Sequence, residues 1–472
     1  MRKARKVLLL GLALALAGGA AFAQQVDFSK YVALGDSLTA AYASAGLAKF
    51  YQDHSYPAVL AQQFGVANFQ QPIVSDPGIP PVLELKALTV VGGSVVPVLQ
   101  PKSGQGQPLN ATLATPYNNL GIPGAKTNDL LTKTGDITKL LTGNIDPNTL
   151  MYDLILRNKT NTALEQAIGL QGTFYSVWIG SNEVLGAALS GVALDGVTLT
   201  PAAAFQTQYT TLLGAIRQQR PSAKIVVATV PEVVAIPFVT TVKPYIFTPQ
   251  GQKVYLLGEA GPLTDNDYVT LGGSALIQQG FGIPGTGKLL PEGSVDATGL
   301  HAGVILRAGE IAAIRARTAE VNGIIKAVAG GVGAAVVDAN VIFNDILAHG
   351  YTVGGIRLTS AFLTGGILSY DGVHPQSLGN AIVANEFIKV INAGFGAHVP
   401  QVNLLPLLTG ESAAVATTVM AANTVFSEQA AISVIKLFVP NALTDRLETG
   451  HRVVRRHLAD HPAREPVEPT VP

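Results

Sequence analysis

The chain has 472 residues, 48% hydrophobic and 13% charged, with 31 basic side chains balanced by 31 acidic ones. That length can bury a large core, and neutrality with so few Lys and Arg argues against nucleic acid as the main partner. The sequence contains no cysteine, which excludes a disulfide framework and a thiolate metal site. Fifty glycines and 28 prolines beside so little charge point to a loop-rich apolar protein rather than to disorder.

The amino terminus has the layout of an export signal. Four basic residues lie within Met1–Lys6, Val7–Ala17 is apolar, and Ala21-Phe22-Ala23 precedes Gln24 as a small-x-small cleavage site. The apolar run is short for a membrane span, and no cysteine is available for a lipid anchor. Residues 1–23 are therefore predicted to be a signal peptide, and the mature protein, beginning near Gln24, to be exported without a membrane span.

Tyr31-Val32-Ala33-Leu34 runs into Gly35-Asp36-Ser37 and then an alanine-rich stretch, Leu38–Phe50, which reads as buried strand, tight turn and helix. Ser37 would sit at the helix's amino end, where free N–H groups favour negative charge. It could be a nucleophile whose own N–H holds the oxyanion, or simply an N-cap. Ser55-Tyr56-Pro57 looks like the start of a helix, Ala58–Phe64. Leu85–Val98 reads as a β-hairpin about Gly92-Gly93 within an insertion, about 70–116.

A short strand at Tyr117–Ile122 leads into Gly121-Ile122-Pro123-Gly124-Ala125-Lys126-Thr127. Helical patterns follow at Asp129–Leu141 and Asn158–Leu170. Thr173–Ile179 is a strand closed by Gly180-Ser181-Asn182-Glu183. Pro201–Gln219 is helical, Lys224–Val230 is a strand of the buried parallel kind, and about 240–300 forms a second, glycine-rich insertion. A long amphipathic helix at Leu306–Ala329 precedes a fifth strand, Ala334–Asp338. Asp371-Gly372-Val373-His374-Pro375 and a helix at Ser377–Ile391 follow.

Strands alternating with helices predict one α/β domain over 24–400, a three-layer α/β/α sandwich about a five-stranded parallel, flavodoxin-like sheet. Such sheets bind ligands at the strands' carboxyl ends, where Ser37, Gly124 and Asn182 would share one crevice. Residues 401–445 are expected to be a helical extension, with Ser412–Ser427 as one alanine-rich helix. Residues 446–472, rich in Arg, Glu, His and Pro, are expected to be a solvated, disordered tail.

These blocks resemble the SGNH/GDSL hydrolase family across about Tyr31–Ile391. Gly35-Asp36-Ser37-Leu38 is similar to its nucleophile block, and Asn119–Thr127 to the second block, with Gly124 the better match for its oxyanion glycine. Gly180-Ser181-Asn182-Glu183 is similar to the third, and Asp371-Gly372-Val373-His374-Pro375 to the Asp-x-x-His block. The residue after the asparagine, usually Asp, is Glu183 here. The resemblance implies a carboxylic ester hydrolase with Ser37, His374 and Asp371 as the catalytic set and Ser37, Gly124 and Asn182 as oxyanion donors, with no cofactor or metal. Asp371 and His374 form the only Asp-x-x-His in the chain, a spacing that lets the carboxylate orient one imidazole nitrogen while the other serves the serine.

Other motifs are weaker. Gly282–Lys288 has Gly-x-x-x-x-Gly-Lys spacing, but Leu289 replaces the Ser or Thr that a P-loop needs. Asp265-Asn266-Asp267 lacks the rest of a calcium loop. No Gly-x-Ser-x-Gly elbow is present. The expected substrate is a small-molecule or lipid ester, the two apolar insertions favouring a hydrophobic acyl group. The alternatives are a carbohydrate O-deacetylase of the same family, which the single Trp178 disfavours, and a non-catalytic binding protein.

Overall fold

The structure, a computed structural model, describes residues 26–91, 94–409 and 425–448. The signal peptide, the Gly92-Gly93 turn, most of the 412–427 run and most of the charged tail lie outside the described residues.

The chain opens on β1 (Tyr31–Gly35), passes through the hairpin β2 (Leu83–Val91) and β3 (Ser94–Pro101), and returns as β4 (Asn119–Gly121). Three further strands follow: β5 (Phe174–Trp178), β6 (Lys224–Ala228) and β7 (Ala335–Val337). β1, β4, β5, β6 and β7 form one parallel sheet in the order β7-β6-β5-β1-β4. This is the flavodoxin-like order predicted from the alternation of strands and helices. Its topological switch point lies between β1 and β5, beside the end of β4.

Alternation along β1 explains the three layers. Val32 and Leu34 face a core shared with helices Ala202–Gln219 and Ala308–Val332. Tyr31 and Ala33 face a second core against Tyr56–Phe64 and Ser377–Phe395. All five β1 residues are buried, as expected of a strand covered on both faces.

Several elements differ from the sequence reading. The predicted helix 38–50 stops after one turn, Ser37–Ala40, and resumes only at Lys49–Gln52. Ala41, Ser44 and Ala45 adopt positive φ, because backbone N–H groups of this loop are taken by distant side chains: Ser44 N donates to Ser369 Oγ and Ala45 N to Asp371 Oδ2. Tertiary hydrogen bonds thus override alanine's helix propensity. The 129–141 pattern splits into Thr127–Thr132 and Ile137–Leu141, where Asp136 caps a new start. The pattern at 158–170 yields only Ala163–Gly169. Asn158 Oδ1 accepts from Thr160 N and Asn161 N in a local turn, and Thr162 with Glu165 makes a reciprocal cap.

At the carboxyl end, β8 (Val425–Phe426) is a strand, not the end of an alanine-rich helix. Ser427 caps the helix Glu428–Phe438 that follows. The first tail residues are packed rather than solvated: Leu447 is buried and Arg446 pairs with Glu259 at 2.8 Å. The Gly282–Lys288 stretch is a turn whose Lys288 Nζ donates to Gln279 O. Asp265 is held by Lys253 and Tyr255, and among the described residues no acidic or histidine cluster could hold a metal. No helix among the described residues is long and apolar enough to cross a membrane.

Candidate active site

Three strand ends converge at the switch point. Gly35 is in register with Gly121 on one side and Trp178 on the other, so the loops after β1, β4 and β5 leave the sheet at one level. The exit is tight: Asp36 N donates to Trp178 O at 3.3 Å and Ile122 N to Gly35 O at 3.0 Å. A Cβ on Gly35 would collide with Trp178 O and Thr39, so this close approach requires glycine.

Asp36, not Ser37, caps the short helix: its Oδ1 accepts from Leu38 N at 3.0 Å. Ser37 is thereby the first helical residue, and its Oγ lies 3.0 Å from His374 Nε2. His374 Nδ1 lies 2.8 Å from Asp371 Oδ2. With Nδ1–H donating to that carboxylate, Nε2 is left as the acceptor for the serine hydroxyl. The Asp371–His374 loop is fixed by Ser369 N donating to His374 O, by Phe238 N donating to Gly372 O, and by a positive φ of 68° at Gly372.

Two buried carboxylates in this site meet opposite fates. Asp371 receives His374 Nδ1 and Ala45 N on Oδ2, and Ser369 Oγ, Val373 N and His374 N on Oδ1. Burial opposes its charge most strongly, but the imidazole and these donors outweigh it and hold the carboxyl below the usual value. Asp36 is equally buried and has Leu38 N on one oxygen, while its Oδ2 finds no hydrogen-bond partner among the described residues. Burial dominates there and pushes its pKa up to about 7.

The second and third blocks meet beside the serine loop. Asn182 opens the helix Asn182–Ser190, and its Nδ2 donates to Ala125 O at 2.8 Å. One amide hydrogen is used to orient the side chain, and the other remains to be donated. Gly124 takes φ +81°, a left-handed conformation that suits glycine. Glu183, the departure from the usual pattern, is fully buried: Oε1 accepts from Thr127 N at 2.8 Å and Oε2 from Thr200 Oγ1. Glu183 thereby ties the loop after β4, at Thr127, to the segment at Thr200 that follows its own helix.

The structure thus brings Ser37, His374 and Asp371 into one hydrogen-bonded chain and places Asn182 against the Gly124 loop. Ser44, Ser369 and Tyr42 also shape the site but went unnoticed in the sequence; Ser369, two residues before Asp371, had a readable position. So did Phe438 escape notice, though its ring stacks on His374 at 5.5 Å and 25°, while Tyr42 meets that ring edge-on at 5.2 Å. Phe438 carries no motif and lies far along the chain.

Among curated protein sequences none matches this chain. Solved structures with similar folds include a GDSL-like lipase from Parabacteroides merdae, with 13% identity, 78% of this chain and 98% of that one covered, and a TM-score of 0.32. An extracellular lipase from Streptomyces rimosus has 17% identity, with 77% and 98% covered and a TM-score of 0.30. An acetylxylan esterase from Geobacillus stearothermophilus has 12% identity, with 79% and 96% covered and a TM-score of 0.32. These distant likenesses carry no argument about this chain. The sequence model described as GDSL-like Lipase/Acylhydrolase, however, matches residues 31–387, which span all four blocks. The chain belongs to the GDSL-like lipase/acylhydrolase family.

Proposed function

We propose that this protein is an exported serine hydrolase that cleaves carboxylic esters through an acyl-enzyme. The observation that carries the proposal is the Ser37–His374–Asp371 hydrogen-bond chain at the sheet's switch point. In the first step Ser37 Oγ bonds to the ester carbonyl carbon as its proton passes to His374 Nε2. The carbonyl oxygen becomes an oxyanion, held by the N–H groups of Ser37 and Gly124 and the free amide hydrogen of Asn182. Collapse breaks the bond to the alcohol oxygen, which takes the proton from His374. Water, deprotonated by His374, then attacks the acyl-enzyme, and its collapse returns the proton to Ser37. Asp371 stays ionised and stabilises the imidazolium of each step.

Export rests on the layout of residues 1–23 and predicts a mature amino terminus at Gln24. An acyl rather than a sugar-decorating substrate is supported by the position of Trp178. It is 4% exposed, its Nε1 donates to Thr229 O at 3.0 Å, and so it offers no platform for a sugar ring. A p-nitrophenyl ester series of rising acyl length tests the reading. Turnover that disappears in Ser37→Ala supports it, and undiminished turnover in that variant rejects it.

A further inference from the structure

The proposed site is closed. Ser37 is 2% exposed, His374 1% and Asn182 2%. An ester must place its carbonyl carbon at Ser37 Oγ with its acyl and alcohol groups on either side, and that space is taken by the helix Glu428–Phe438. Phe438 lies flat against His374, and a Cβ built on Gly124 would stand 2.8 Å from Leu437 O. The helix sets an apolar face of Ala430, Ala431, Val434, Ile435 and Phe438 inward, and its partly or fully exposed positions include Glu428, Gln429, Ser433 and Lys436.

What seats this helix is equally informative. On its amino side, β8 pairs in parallel with β3 of the first insertion, Val425 with Val98 and Phe426 with Leu99. Phe426 N also donates to Ser274 Oγ of the second insertion at 2.9 Å. On its carboxyl side, Ala302 N donates to Leu443 O and Leu443 N to Leu300 O. His301 sits between Asp296 and Asp445, and Arg446 reaches Glu259. Both insertions thus serve as docking rails for one strap, 425–448, laid across the strand ends. The contacts at the rails are two short backbone ladders and a few ion pairs, and the inward face of the helix is held by the packing of Ala430, Ala431, Val434, Ile435 and Phe438. Such a segment can lift without disturbing the sheet that fixes Ser37 and His374.

Building on the ester-hydrolase reading, we infer that the strap 425–448 is a lid that closes the Ser37 site and must move for substrate to reach it. In the closed state Phe438 shields the Ser37–His374 hydrogen bond from water; in the open state the same ring leaves the space that the acyl or alcohol group takes. Substrate access is then set by the fraction of open molecules, not by diffusion into a standing crevice.

A disulfide latch tests this, because the chain supplies no cysteine of its own. A Cβ built on Gly272 would lie 3.4 Å from Ala431 Cβ, near the short end of the disulfide range of about 3.5–4.5 Å. The variant Gly272→Cys/Ala431→Cys is treated with a fluorophosphonate in oxidised and reduced form, and labelling of Ser37 is followed by mass. Crosslinking is scored on the same samples. The reduced form should label, and the fully crosslinked form should label at least about tenfold more slowly, the factor expected when an open population is removed. Reduction of the crosslinked sample should restore the rate, which shows that slow labelling is not misfolding. Equal rates in fully crosslinked and reduced protein would overturn the lid and leave the hydrolase reading standing. Labelling in neither form, nor in the unmutated protein, would overturn the hydrolase reading and the lid with it.

Discussion

Two regions of this molecule are built on different principles. The loops after β1, β4 and β5 and the Asp371–His374 turn are short, buried and pinned by hydrogen bonds to backbone. Asp371 alone gathers three backbone N–H groups, those of Ala45, Val373 and His374, and two side-chain donors, Ser369 Oγ and His374 Nδ1. The strap and its two rails are long, irregular and joined mostly by apolar packing and partly exposed ion pairs. The first region holds Ser37, His374 and Asp371 within hydrogen-bond reach of one another, the geometry that general-base chemistry requires. The second covers them with a surface that can be withdrawn. The comparison teaches that the rigid region should respond to substitution with lost chemistry, and the strap with altered access.

The largest expected effect lies in the rigid region. Ser37→Ala and His374→Ala should each lower kcat by about 10⁴-fold or more, and the double variant should be scarcely worse than either, because the two act as one unit. Steady-state kinetics of the three variants check this; additive losses would separate the two residues. Because Asp36 holds the cap, Ser37→Ala should leave the melting temperature nearly unchanged.

Asp36 sharpens the comparison through stability. Its folded pKa is raised from 3.8 to about 7, so the folded protein binds the proton more tightly than the unfolded chain. The group's contribution is therefore favourable at low pH and is lost as pH rises from about 4 towards 7. At about 1.4 kcal/mol per pH unit over that window, the loss is on the order of 4 kcal/mol. Asp36→Asn keeps an acceptor for Leu38 N and removes the titration. Urea unfolding should show the variant gaining on the wild type as pH rises across the window, and parallel stability curves would contradict the raised pKa.

Asn182→Ala should lower kcat by about 10²–10³-fold, the usual cost of one oxyanion donor, with the fold retained. Wild-type kcat on a good ester would reduce Asn182 to a brace for the Ala125 carbonyl.

The strap should behave in the opposite sense. Phe438→Ala costs stability, about 3 kcal/mol for a buried aromatic ring, yet should speed fluorophosphonate labelling of Ser37 several-fold. Were Phe438 a fixed wall of the substrate pocket, kcat/KM would fall and labelling would not accelerate. Asp445→Asn should have the smallest effect, less than about twofold in labelling, since partly exposed ion pairs are weak. Asp445, Asp296 and their hydrogen bonds raise the pKa of His301 above its usual 6.5. The anchor is therefore complete below that value and fades as pH rises through the raised one, so the variant should differ from wild type only on the acid side. A difference confined to alkaline pH would contradict this role for His301.

The same contrast explains what the sequence made legible. The sheet and the four blocks were readable because local rules govern them: β1 is a run of apolar residues ending in Gly35, β5 is apolar apart from Ser176, and Asp371 and His374 are set by a three-residue spacing. The 38–50 helix was misread because Ser44 and Ala45 are held by Ser369 and Asp371, more than three hundred residues away, and no local pattern reports such a tie. Asp36's raised pKa comes from its complete burial, which only the packed site reveals. Phe438 was invisible for the same reason: a phenylalanine on an amphipathic helix says that it packs, not that it packs on His374.

The central claim, that Ser37 is a nucleophile activated by His374, is tested most directly by the intact mass of the protein after reaction with a fluorophosphonate. The wild type should gain a single phosphonyl adduct that peptide mapping places on Ser37, and Ser37→Ala and His374→Ala should gain none. An adduct on any other residue, or undiminished ester turnover by Ser37→Ala, would contradict the account.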